Sequence, residues 1–103
     1  MFKLGNKVSI VTGASKGIGK AIAKIFAQAG THVVCVSRTK DDLNILKKEI
    51  LNVGGSVSIY SCDVSNFDEV EGLIRNTVEE FSKIDIIVNN AGITRDGLIM
   101  RMS

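Results

Sequence analysis

Three glycines, Gly13, Gly17 and Gly19, fall within the stretch TGASKGIG, which also holds Ser15, Lys16 and Ile18; Arg38 follows about 20 residues later. Residues of these types at this spacing suit the capture of an anion. Glycine leaves backbone N–H groups uncovered, and a helix starting there adds its own unpaired N–H groups and the positive end of its dipole. In that role Gly13 allows a tight turn, Gly17 lets the backbone approach a diphosphate, and Gly19 lets the helix pack closely on the preceding strand. The spacing G-x-x-x-G-x-G departs from the G-x-G-x-x-G dinucleotide fingerprint. A purely structural strand-to-helix turn would use the same glycines, so the residues around Arg38 carry the next step.

Arg38 stands at the end of the apolar run VVCVSRTK, beside Ser37. A site for NAD places an Asp or Glu at that point to accept from the ribose hydroxyls. Here a guanidinium can fork onto a 2′-phosphate, with Lys16 adding a point charge. NADPH (NADP) is therefore the expected cofactor; the competing reading makes Arg38 a solvated surface charge. Asp41 and Asp42 fall in the first turn of the next helix and do not restore a preference for NAD.

These residues need elements to position them. The run from Lys7 to Thr12 is short and rich in β-branched residues, which predicts a buried strand. From Gly17 the period changes to that of a helix, with Ile18, Ala21, Ile22, Ile25, Phe26 and Ala29 as its apolar stripe and Gly30 as its left-handed end. His32 to Ser37 predicts a second strand. Thr39 and Asp42 resemble a capping box opening a helix whose stripe is Leu43, Leu46, Ile50 and Val53. Ser56 to Cys62 predicts a third strand, and Ser65 or Asn66 caps a third helix with apolar positions Val70, Leu73, Ile74, Val78 and Phe81. Ile84 to Asn89 predicts a fourth strand. About four strands alternating with three helices give the α/β class, a Rossmann-type doubly wound parallel sheet with the first strand at the switch point.

Bulk properties narrow the partners. The 103 residues suit one domain, and 45% hydrophobic with 23% charged residues is ordinary for a globular chain. Apolar runs are strand-sized and too short to span a bilayer, so no membrane partner is expected. A net charge of +2 with scattered cations argues against nucleic acid. The start MFKLGNK lacks the apolar centre of a signal peptide, so a cytoplasmic location is expected, although a trimmed organellar transit peptide would leave no trace. Cys35 and Cys62 lie in β-like runs, lack metal-ligand spacing, and read as buried thiols, so no metal is expected.

TGASKGIG together with NNAG (residues 89–92) resembles the short-chain dehydrogenase/reductase family, in which both motifs occur in this form and order. The stretch NNAGITRDGLIMRM is similar, in addition, to the 3-oxoacyl-[acyl-carrier-protein] reductases of fatty acid synthesis. The resemblance covers residues 1–103, as the N-terminal dinucleotide-binding part of the family's single domain. It implies that Asp63 and Val64 hold adenine, and that Asn90, Ala91 and Gly92 flank the nicotinamide ribose. Asp63 could instead cap a helix, and Asn89 is expected to tie loops together. The implied activity is NADPH-dependent reduction of a 3-oxoacyl thioester on acyl carrier protein, by a homotetramer in the full-length protein.

The family's catalytic Ser, Tyr and Lys would lie beyond Ser103, so no catalytic residue is expected in this chain. Tyr60 is followed four residues on by Val64 rather than Lys and reads as a strand residue; His32 reads as a surface histidine remote from the crevice. Met100 and Met102 read as packing residues. A reductase of another carbonyl or alcohol, or a non-catalytic nucleotide-binding module, would share these features. A Rossmann-type methyltransferase would place an acid where Ser37 and Arg38 stand. The fourth strand is expected at an exposed sheet edge, with aggregation or partial unfolding of the isolated chain as its consequence.

Overall fold

A computed structural model describes residues 6–90 and the backbone of Ile99–Met102. The order is β1 (Val8–Thr12), α1 (Gly17–Gln28), β2 (His32–Ser37), α2 (Lys40–Asn52), β3 (Ser56–Ser61), α3 (Phe67–Phe81), β4 (Ile86–Asn89) and β5 (Ile99–Met102). The strands form one sheet in the order β3-β2-β1-β4-β5, parallel except where β5 runs against β4. The sequence expectation of a four-stranded doubly wound core with three helices is met, with β1 at the centre where the winding reverses.

The expectation of an exposed β4 edge is corrected. Ile86 to Asn89 pair with Met102 to Ile99 in antiparallel register, so the backbone groups on that side of β4 are taken up by the chain itself. An antiparallel partner can return over a short connection, whereas a parallel one would need a crossover helix.

Strands buried on both faces explain the continuous apolar runs. Val11, Val33, Cys35, Ile86 and Val88 face α1 and α2, packing on Ala23, Ala27, Leu43, Leu46 and Ile50. Ile10, Val34 and Val36 face the other way, onto Leu73 with Val70, Ile74 and Phe81 of α3. The period of two along each strand sends alternate residues to opposite layers.

The α1 stripe turns out rotated from its expected position, whereas α2 buries Leu43, Leu46 and Ile50 as expected and each of the other two helices departs at one residue. On α1 the buried residues are Gly19, Ala23 and Ala27, while Ile18 and Ile25 are exposed, because small side chains let the helix approach the sheet. On α2, Val53 lies past the last helical residue and is 69% exposed. On α3, Thr77 takes the inner place expected for Val78, its hydroxyl donating to the Leu73 carbonyl at 2.8 Å.

Caps differ from expectation in one case. Asn66 caps α3, its side chain accepting from the Glu69 N–H at 3.2 Å. Thr39 occupies the cap position of α2 without a side-chain cap bond, and its own N–H donates to Ser37 Oγ at 3.1 Å, so no capping box with Asp42 forms. No described helix is long and apolar enough to cross a membrane.

Candidate functional site

The site grows from the carboxyl ends of β1, β2 and β3. Gly13 leaves β1 with φ of 61° and Gly17 opens α1 with φ of 64°, both in the left-handed region where a side chain costs about 1–2 kcal/mol. Between them the chain turns away from the sheet, anchored by the Ala14 N–H on the Val36 carbonyl at 3.1 Å. Gly19 is packed against the turn it follows. A Cβ there would meet the Gly13 carbonyl oxygen at 2.1 Å and Asn90 Nδ2 at 2.5 Å. Asn90 Nδ2 donates to that same carbonyl at 3.1 Å, tying the end of β4 to the glycine turn. One residue earlier, Thr12 Oγ1 donates to Asn89 Oδ1 at 3.0 Å, across a register pair of β1 and β4.

Together these elements enclose a cleft of about 560 Å³. Of the residues expected from sequence, it gathers Gly13, Ser15, Lys16, Arg38, Asp63, Val64 and Asn90 along its wall. Gly17 and Gly19 shape the turn without lining the cleft, and Ile18 projects from α1 at 64% exposure. Ala91 and Gly92 lie outside the described residues. Thr39 and Ser65 were expected only as helix caps, Cys62 only as a buried thiol and Ser37 only as a non-acidic strand end; all four line the cleft as well. The register carries the missing signal: β2 and β3 pair as far as Ser37 and Ser61, so the residues just after both ends must share one rim.

The wall is as apolar as it is polar, and asymmetric in charge. Among the described residues Lys16 and Arg38 are its cations, and Asp63 is its carboxylate. Hydrogen bonds from the Ser65 hydroxyl and N–H to Asp63 Oδ1, at 2.6 and 3.0 Å, hold that carboxyl below its ordinary range, with Arg38 adding a smaller pull. Asp63 is therefore an acceptor at neutral pH, and it also braces the turn into α3. The Asp63 N–H is in turn taken by Glu69 Oε1 at 3.0 Å. Cys62 contributes a buried thiol whose pKa is raised, first by burial and then by Glu69 and Asp63. Among the described residues no group of His, Cys, Asp and Glu could hold a metal ion.

Residues set aside from the site sit away from it. Tyr60 lies under α3, its hydroxyl accepting from Asn76 at 3.0 Å. His32, at the amino end of β2, lies between the hydroxyls of Ser56 and Ser58 and against the Phe81 ring, 4.3 Å between centroids.

An open, mainly parallel sheet with a glycine turn and a cationic cleft past the carboxyl ends defines a dinucleotide-binding class of fold. The chain belongs to the short chain dehydrogenase family, whose model matches residues 7–103. It is 41% identical over 100 residues to the 3-oxoacyl-[acyl-carrier-protein] reductase FabG of Thermotoga maritima, covering 97% of this chain and 41% of that protein. It is 39% identical over 90 residues to 3beta-hydroxysteroid dehydrogenase 2 of Eggerthella lenta, covering 87% of this chain and 35% of that protein. Among solved structures, a metagenomic short-chain oxidoreductase in complex with NADP superposes with a TM-score of 0.84 at 36% identity, covering 87% of this chain and 41% of that one. The chain thus spans about 41% of the length of the first of these relatives.

Proposed function

We propose that residues 1–103 form the cofactor-binding part of a single short-chain reductase domain. They would hold NADPH for reduction of a 3-oxoacyl group carried on acyl carrier protein to the 3-hydroxyacyl form. The observation that carries this reading is the composition of the β2 end of the cleft. Ser15, Lys16, Ser37, Arg38 and Thr39 line it, and neither Ser37 nor Arg38 is the acid that would serve a free 2′-hydroxyl.

The residues present fit the cofactor. The turn at Gly13 and Gly17 offers backbone N–H groups and the start of α1 to the diphosphate, while Arg38 and Lys16 neutralise the phosphate on the adenosine ribose. Asp63 and Val64 would hold the adenine, and Asn90, with Ala91 and Gly92 as the NNAG motif implies, would border the nicotinamide ribose. When bound, the cofactor supplies a hydride; this chain's part is to bind and orient it. The acyl carrier substrate rests on similarity to the Thermotoga maritima reductase. Similarity to the Eggerthella lenta dehydrogenase supports a second reading, a sterol-type alcohol or ketone as substrate.

The test is Arg38→Glu in the protein that carries this chain, read by nucleotide fluorescence titration. Charge-assisted hydrogen bonds are worth about 1.5–3 kcal/mol each, so NADPH affinity should fall about tenfold to a hundredfold. NADH affinity should hold or rise, since the new carboxylate can accept from a ribose hydroxyl. Unchanged discrimination between the two would overturn the assignment.

A further inference from the structure

A second cavity, of about 450 Å³, opens at the amino ends of the strands, the opposite end of the sheet from the cofactor cleft. Strand register builds it. Val8, His32 and Ser56 lie in one row across β1, β2 and β3, so the first residues of three strands share a rim. The His32 N–H donates to the Lys7 carbonyl at 2.9 Å, which brings that lysine to the same rim. Lys83 arrives from the loop after α3, its ammonium donating to the Asn6 carbonyl and pairing with Asp85 at 3.2 Å. The Phe81 ring, packed on the imidazole, gives the wall its apolar part.

The charge on this wall is one-sided. Among the described residues that line it, Lys7 and Lys83 are cations and none is a carboxylate. An ammonium has three donors, and Lys83 uses two of them on Asn6 and Asp85. The acids nearby are engaged elsewhere or act from a distance. Asp85 also accepts from the Val8 N–H at 2.8 Å, and Glu80 of α3 acts on His32 through space. The helix ends beside the cavity have carbonyls that accept from the Gly30, Thr31 and Ser82 N–H groups, which blunts their negative pole.

His32 links this wall to proton uptake. Its Nδ1 is hydrogen-bonded to Ser56 Oγ and its Nε2 to Ser58 Oγ at 2.8 Å. Burial holds the ring below its ordinary pKa, with Glu80 acting against it, so at neutral pH one nitrogen donates and the other accepts. Once the ring gains a proton both nitrogens donate. Both hydroxyls must then accept, and each turns its own proton outward; Ser56 lines the cavity, whereas Ser58 does not.

We propose that this cavity is a proton-linked site for a small oxyanion of the phosphate or sulfate type, held by Lys7, Lys83 and the Ser56 hydroxyl, with His32 charged behind them. The anion favours the imidazolium and the imidazolium favours the anion, by the same factor. Among the described residues the charged groups around His32 are Lys7 before β1, Glu80 on α3, and Lys83 and Asp85 between α3 and β4; β3 supplies hydroxyls. The site is separate from the nucleotide cleft and stands independently of the NADPH reading.

His32 is the single histidine of these residues and reports on the site by NMR of the protein carrying this chain, labelled with 13C-histidine. Its signal is assigned by its loss in His32→Gln. Sodium sulfate, a dianion throughout, is titrated against sodium chloride at equal ionic strength. Sulfate should shift the signal saturably and raise the His32 pKa by about half a unit or more, which makes it bind about threefold more tightly as pH falls from 8 to 5. Lys7→Ala should weaken sulfate about two- to fivefold, the worth of an exposed ion pair, and Ser56→Ala about fivefold, the worth of one hydrogen bond. Ser58→Ala should leave it within about twofold, since that hydroxyl does not line the cavity. Phenyl phosphate separates the two sources: binding tighter than sulfate marks an esterified anion resting on Phe81, and weaker binding marks a free inorganic one. The same shift in chloride, an affinity independent of pH, or equal losses in Ser56→Ala and Ser58→Ala would overturn the proposal.

Discussion

Gly19→Ala isolates what the glycine turn requires. The added Cβ would sit 2.1 Å from the Gly13 carbonyl oxygen, 2.8 Å from its carbon and 2.5 Å from Asn90 Nδ2. Asn90 is a side chain and can withdraw, at the loss of its 3.1 Å bond to Gly13. The carbonyl is backbone, held between β1 and the Ala14 N–H bond to β2, and cannot. Opening the closest contact to 3.0 Å moves the turn or α1 by about 0.9 Å, which spreads into the Ala23 and Ala27 packing behind it. Overpacking of this kind costs about 1–3 kcal/mol and the lost hydrogen bond about 1 kcal/mol, giving about 2–4 kcal/mol together. Gly17→Ala is the matched control. Its Cβ meets nothing within 4 Å, so only the left-handed backbone at φ +64° opposes it, at about 1–2 kcal/mol. Urea unfolding of the two variants at constant m value should place Gly19→Ala below Gly17→Ala, by about 1.5 kcal/mol between the middles of the two ranges. NADPH affinity should fall with it, since the displaced turn carries Ser15. Equal stabilities, or the reverse order, would refute the argument that close packing rather than backbone conformation selects glycine at position 19.

Two further outcomes follow from buried and paired groups. Asp85 accepts from the Val8 N–H at 2.8 Å and pairs with Lys83 at 3.2 Å, and the backbone bond is the larger cause of its lowered pKa. A depressed carboxylate stabilises the fold above its unfolded value near 3.8 and loses that contribution as pH falls through the folded value. Between pH 5 and pH 3 the parent should therefore lose more stability, by urea midpoint, than Asp85→Asn; parallel losses would contradict this. Cys35 is fully buried between the sheet and α1, and burial pushes its thiol up to about 12. Iodoacetamide at pH 8 should leave Cys35 unlabelled in the folded protein and label it in urea, by peptide mass spectrometry. Rapid native labelling would mean that this layer opens.

Much of the architecture was legible because strand and helix periods are local. The runs KVSIVT and HVVCVS could be read as buried strands, since a residue covered on both faces has no polar alternation to display. The glycine turn was legible for the same reason: positive φ at Gly13 and Gly17 is a property of single residues. The rotation of the α1 stripe was not, because Ile18 and Ile25 are as apolar as any core residue, and only the closeness of the sheet favours Gly19, Ala23 and Ala27 beneath the helix. Thr77 was invisible as a core residue, since its hydroxyl is satisfied by a carbonyl one turn away.

The candidate site divides along the same line. The sequence by itself determined the chemistry on offer: an anion-binding turn, a cation in place of an acid after β2, and an acceptor at Asp63. Tertiary structure decided which of these meet. The register of β1, β2 and β3 brought Ser15, Ser37, Thr39, Cys62 and Ser65 to one rim, and the antiparallel return of Ile99–Met102 covered β4. The type of a residue fixes what it can donate or accept, but its partners across 22 or 77 positions of chain are set only when strands pair.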